Sequence, residues 1–196
     1  VQIYFAPFLI LLKQKPRTST HASRNPEPES QISNFKSQIL SKSYTFQEIK
    51  QKLVNYCVYQ DRCHAEVEQK MRDFLLIDEA KEEIYLYLLK ENYLNEERFT
   101  RSYIRGKFYI KHWGKTKIKI HLKHKGITDK LISKCFDEIH EEDYQKTITK
   151  IYQDYSSRHH GLKEYQKKSK TIKYLISRGF EYDKIQFAIE DLESEA

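Results

Sequence analysis

"GKTKIKIHLKHKGITDKLISKCFDEI", residues 114–139, decides the fold, because two other stretches of the chain repeat its apolar pattern. Aligned with "AEVEQKMRDFLLIDEAKEEIYLYL" (65–88) and "QKKSKTIKYLISRGFEYDKIQFAIEDL" (166–192), it brings Met71, Leu122 and Leu175 into one column. Leu76, Ile127 and Phe180 form a second column, and Ile84, Cys135 and Ala188 a third. Leu88, Ile139 and Leu192 form a fourth, and the offsets are 51 and then 53 residues throughout. A unit of that size holds three short helices that bury their faces against each other and their neighbours.

Glycine marks a tight break between the second and third helix of a unit, at Gly126-Ile127 and again at Gly179-Phe180. It suits a helix-ending position that requires positive φ. The first unit has Leu75 at the matching place, so its break needs another geometry. The expected fold is all-α, with three tandem three-helix repeats forming an elongated array. Its units run over 45–94, 95–143 and 144–196, and the middle one is strongly basic.

Composition agrees with long helices joined by aromatic seams. The chain has 196 residues with only 5 Gly and 4 Pro, against 15 Tyr and 10 Phe. Breakers are scarce and large rings are plentiful. The first unit opens on "TFQEIKQKLVNYCVYQ", where Thr45 and Glu48 have the spacing of a helix-capping pair. Residues 1–44 are read as a flexible leader, since 16–43 are rich in Ser, Pro, Asn and Thr without periodic apolar residues. The apolar run within "VQIYFAPFLILLKQKP" is too short to cross a membrane as a helix. Three unevenly spaced cysteines, Cys57, Cys63 and Cys135, fit a reducing cytoplasm rather than a disulfide scaffold.

The formal charge of +7 points to an anionic partner without fixing its identity. Ten Lys or Arg residues fall from Arg98 to Lys125 with no Asp or Glu among them. Helical spacing puts Arg98, Arg101 and Arg105 on one stripe, and Phe99, Tyr103, Gly106 and Ile110 on an apolar face. In the next helix Lys115, Lys119 and Lys123 line one side, while Ile118 and Leu122 line another. With Lys111, these six cations are the candidate partner contacts. Tyr103, Trp113, Gly114, Leu122, Gly126 and Ile127 would hold that surface in shape. The flanking acidic runs "NEE" and "FDEIHEED" could clamp units together or give a partner mixed-sign recognition.

Chemistry of other kinds finds little support. His121 and His124, or Cys57, Cys63 and His64, lack a four-ligand zinc spacing. No glycine-rich phosphate loop and no convergent acid–base pair stands out, so neither an enzyme nor a bound cofactor is expected.

The run "YLNEERFTRSYIRGK", followed by "KHWGKTKIKIHLKHKGI", resembles the RecX family of regulators of the RecA recombinase. The shared pattern is Tyr93 to Phe99, then Arg101 and Arg105, then Trp113-Gly114, then Lys125-Gly126-Ile127. The resemblance extends from about Thr45 to Leu192. It implies a curved molecule of three tandem three-helix repeats that binds in the groove of the RecA filament on DNA. It further implies a cytoplasmic monomer that mostly inhibits recombinase and ATPase activity and filament growth, within homologous recombination, DNA repair and the SOS response. A helical protein that binds DNA directly is the alternative reading of the same cations.

Overall fold

A computed structural model of the chain describes residues 44–194. The expected leader lies outside the described residues, except for Tyr44, whose ring meets Phe74 edge-on at 5.8 Å.

Among the described residues the chain forms helices and no strands. The first three are α1 (Phe46–Tyr59), α2 (His64–Met71) and α3 (Asp78–Lys90). The next are α4 (Glu96–Arg105), α5 (Lys115–His124) and α6 (Asp129–Cys135). The last are α7 (Glu141–Ser157), α8 (Glu164–Arg178) and α9 (Tyr182–Ser194). The aligned columns are the core of each unit. Met71, Leu122 and Leu175 are buried, as are Ile84, Cys135 and Ala188. Leu76 and Leu192 are partly buried, while the other members of their columns are buried.

Local chemistry starts and stops these helices. At the head of α1 the Thr45 amide donates to Glu48 Oε2 at 2.7 Å, and the Glu48 amide donates to Thr45 Oγ1 at 3.3 Å. Both bonds of the expected capping box therefore form. Asn95 caps α4 by accepting from the Arg98 amide at 2.9 Å. Gly126 and Gly179 take φ of 82° and 91°. After each, the next amide reaches back to the helix, Ile127 to the Leu122 carbonyl at 3.1 Å and Phe180 to the Leu175 carbonyl at 3.2 Å. The first unit turns differently, with the Phe74 amide donating to the Met71 carbonyl at 3.0 Å and no left-handed residue there.

One sequence expectation fails beyond α4. The backbone continues as a π-helical turn over Gly106–Ile110. That wider turn shifts the register of every side chain after Arg105. Phe108 becomes fully buried, whereas Ile110, expected on the apolar face, is 72% exposed.

The core has two parts. Ile49, Leu53, Val54, Cys57, Val67, Met71, Ile84, Leu88 and Leu94 pack within the first unit. The second and third units share one continuous core, to which Cys63 also belongs. An aromatic ladder crosses this shared core. Tyr144 of α7 stands 5.6 Å from the Phe108 ring and 5.3 Å from the Phe180 ring. Its hydroxyl accepts from the Lys115 amide at 3.0 Å and donates to the Glu181 carboxylate. These two hydrogen bonds offset the cost of taking the phenol hydroxyl out of water.

Candidate partner-binding surface

The arginine stripe of α4 faces outward but is largely engaged within the chain. Arg98 Nε donates to Asp61 Oδ1 at 2.7 Å, and Ser102 Oγ donates to Asp61 Oδ2 at 2.9 Å. Asp61 lies between α1 and α2, so this pair ties the first unit to the second. Burial would raise the Asp61 carboxyl, yet the hydrogen bonds from Arg98 and Ser102 hold it below its ordinary value. Arg101 pairs with Glu97, Asp137 and Glu138 at 3.0, 2.7 and 2.9 Å. Arg105 pairs with Glu138 at 2.8 Å, and hydrogen bonds from Arg105 and then Arg101 lower the Glu138 carboxyl. The three arginines, with Asn95 and Glu97, line a shallow groove of about 350 Å³.

The lysines of α5 have fewer partners. Lys119 and Lys123 both approach Asp129, at 3.2 and 3.0 Å. Lys115 lies 3.4 Å from Glu141, which also holds Lys184 at 2.5 Å and thereby joins the second and third units. Lys111 is exposed and makes no ion pair among the described residues. Of the seven cations predicted as partner contacts, six thus meet a carboxylate of the chain itself. The acidic runs clamp the structure: Asp137 and Glu138 inside the second unit, Glu141 between units.

The predicted supporting residues divide by role. Leu122 and Ile127 are buried in the shared core, and Tyr103 and Trp113 pack against it. Gly126 ends α5. Gly114 lies at the unit junction, where its amide donates to the Arg178 carbonyl at 2.9 Å. A Cβ on Gly114 would collide with the backbone of Gly179 and Phe180. Arg178 closes the same junction by donating to the carbonyls of Lys111 and His112. His112 has φ of 50°, a conformation uncommon outside glycine and held here by that guanidinium.

Sequence reasoning missed Asp61, Arg178 and Gly179 as junction residues. Gly179 stood in the same column as Gly126, but its second task requires knowing that α5 starts against it. Asp61 gave no periodic signal, because it lies between two helices. Among the described residues no group of three or more His, Cys, Asp or Glu is arranged to hold a metal ion. Burial raises the thiols of Cys57, Cys63 and Cys135, consistent with a packing role. No helix among the described residues is long and apolar enough to cross a membrane.

Comparison with known proteins converges on one family. Residues 95–135 match the family described as "RecX, second three-helix domain", and residues 141–189 match "RecX, third three-helix domain". The regulatory protein RecX of Lactococcus lactis subsp. cremoris (strain MG1363) is 31% identical over 147 residues, covering 72% of this chain and 54% of that protein. The regulatory protein RecX of Bacillus mycoides (strain KBAB4) is 25% identical over 142 residues, covering 72% and 53%. The chain therefore spans about half the length of the curated relatives it matches. In fold, a crystal structure of RecX from Lactobacillus salivarius matches with a TM-score of 0.70 at 24% identity, covering 76% of this chain and 96% of that one. A second crystal structure, of regulatory protein RecX, gives 0.65 at 19% identity, covering 84% and 80%. With its consecutive three-helix domains, its Trp113-Gly114 junction and these relatives, the chain belongs to the RecX family of regulatory proteins.

Proposed function

We propose that this chain acts as a regulator of the RecA recombinase, binding its filament on DNA and mostly inhibiting recombinase and ATPase activity and filament growth. Its place is then the cytoplasm, in homologous recombination, DNA repair and the SOS response, and it works as a monomer without catalysis of its own. The observation that carries the reading is the consecutive match to the second and third three-helix domains of RecX, the second of which contains the whole basic run.

The surface chemistry supports a protein partner. Arg98, Arg101 and Arg105 are held by carboxylates and line a shallow groove with Glu97. The groove thus presents both signs of charge in fixed positions. Mixed charge at fixed positions favours register and selectivity over raw affinity. Arg98, Arg101, Arg105, Lys111, Lys115, Lys119 and Lys123 remain the proposed contacts, the better exposed lysines meeting the partner first.

Cosedimentation with RecA assembled on single-stranded DNA tests this reading. The protein should pellet with the filament and remain in solution with RecA alone. Equal recovery with and without RecA on the DNA would instead favour the direct DNA-binding alternative.

A further inference from the structure

Two cations without an ion pair among the described residues meet at Trp113. Lys107 Nζ and Lys117 Nζ each lie 4.9 Å from the centre of the Trp113 ring. Lys107 also lies 5.0 Å from the Tyr103 ring, and the His121 ring stands 4.7 Å from Trp113. Lys111 is exposed two residues before Trp113, and Arg178 binds the Lys111 and His112 carbonyls. Lys117 Nζ donates to a neutral partner, the Ser177 carbonyl, at 3.3 Å. None of Lys107, Lys111, Lys117 and Arg178 forms an ion pair among the described residues. Desolvation, and then Lys117, Lys107, His124 and Lys125, lower the His121 imidazole, so positive charge dominates its surroundings.

This arrangement is electrostatically unfavourable in isolation. Like charges gathered at one junction repel, and cation–π contacts offset only about 0.5–1 kcal/mol each at exposed sites. Those contacts also hold the two ammonium groups near one ring, which lowers the entropy lost when an anion binds. Two amides in the first turn of α5 are already engaged within the chain. The Lys115 amide is taken by Tyr144 and the Thr116 amide by the Gly179 carbonyl, at 3.0 and 3.1 Å.

We propose that Lys107 and Lys117, held over Trp113, together with the exposed Lys111 on the adjoining turn and backed by Arg178, form a surface for the phosphodiester backbone of nucleic acid, bound without sequence preference. The identity of the free groups selects this ligand over an acidic protein segment. The guanidinium forks of Arg98, Arg101 and Arg105, which suit carboxylates bidentately, are already engaged on the chain's own carboxylates. What remains are lysine point charges, which suit phosphates encountered in varying registers. No donor–acceptor set for reading base edges accompanies them. The surface is separate from the Lys115, Lys119 and Lys123 stripe, whose cations face Glu141 and Asp129. It shares Lys111 with the proposed filament contacts, but it is tested without any recombinase, so its failure and that of the filament reading are distinguishable.

The test is fluorescence anisotropy with a labelled oligo(dT) strand and a labelled mixed-sequence duplex, using the full chain across a salt series. Lys107→Gln with Lys111→Gln and Lys117→Gln should weaken binding roughly tenfold at low salt. It should also flatten the slope of log affinity against log salt by about 0.7 per lost contact on the single strand and about 0.9 on the duplex. The matching triple Lys→Arg variant should bind as the wild type does, and circular dichroism should show both variants as helical as the parent. A loss on both probes supports one backbone surface, while a loss on one identifies which nucleic acid it serves. Unchanged binding by the folded triple Gln variant would overturn the proposal. So would an equal loss in a Lys119→Gln, Lys123→Gln variant, or displacement of the DNA by poly-glutamate as readily as by unlabelled oligo(dT).

Discussion

Gly114 and Gly179 meet backbone to backbone, with the Gly114 amide on the Arg178 carbonyl at 2.9 Å and the Thr116 amide on the Gly179 carbonyl at 3.1 Å. Each occupies a place where a side chain has no room. On Gly179 a Cβ would also press on Lys117, at a φ of 91° that itself favours glycine. The second and third units share a core because these glycines let α5 start directly against the end of α8. The first unit is joined to the second more through charge, by Arg98 on Asp61 and Lys125 on Glu66 at 2.7 and 2.6 Å.

Gly114→Ala should therefore destabilise the chain by roughly 3 kcal/mol or more, at or above the usual range for overpacking. Gly106→Ala provides the contrast. It sits at φ of −64° with nothing within 4 Å of a new Cβ, and should stabilise the fold by about 0.4–1 kcal/mol. Urea unfolding of the two variants against the parent measures both shifts, which should have opposite signs.

Leu122→Ala should cost about 2–5 kcal/mol, since Leu122 is fully buried in the core shared by two units. Ile110→Ala, four residues beyond Gly106 on the π-helical turn, should change stability by less than about 0.5 kcal/mol. Had α4 continued as a regular helix, Ile110 would have been a core residue and the two losses would be comparable. Equal losses would contradict the register shift.

Much of the core was legible in the sequence because burial repeats at fixed offsets. Met71, Leu122 and Leu175 could be aligned without a structure, and the two glycine breaks followed from their neighbours. The register beyond Arg105 was not legible, since a π-helical turn leaves no periodic mark of its own. The contact surface was legible only as charge. Arg101 reads as a free cation in sequence because Asp137 and Glu138 follow it by more than thirty residues. Folding places those carboxylates on it. Lys107 and Lys117 carried no special signal, because what sets them apart is a shared distance to Trp113.

Acid should loosen the junction between the first and second units. The Asp61 carboxyl is held below its ordinary value of 3.8, so its ionised form contributes stability at neutral pH. That contribution is complete well above 3.8 and drains as pH falls through the lower folded-state value. Asp61→Asn should lower the melting temperature at pH 7 and lose less on acidification than the parent. Thermal melts from neutral pH down to about pH 3 test this; parallel profiles for the two proteins would contradict a role for the Arg98–Asp61 pair.

The choice of variants for partner binding follows from the ion pairs. Arg101→Glu would set a fourth carboxylate beside Glu97, Asp137 and Glu138 and should destabilise the second unit. Lys111→Gln with Lys119→Gln and Lys123→Gln removes outward charge while leaving that cluster intact. It should leave the melting temperature within about 2–4 °C of the parent, as expected for surface positions. Weaker cosedimentation with RecA filaments by this stable variant would support the lysine face as a contact surface.

The most direct measurement is the DNA-dependent ATPase of RecA with and without this protein, across a salt series. Regulation of the filament predicts a fall in ATP turnover at protein concentrations that leave bare DNA unbound, with inhibition weakening as salt rises. Unchanged turnover at every salt concentration, with the protein folded and in excess, would contradict it.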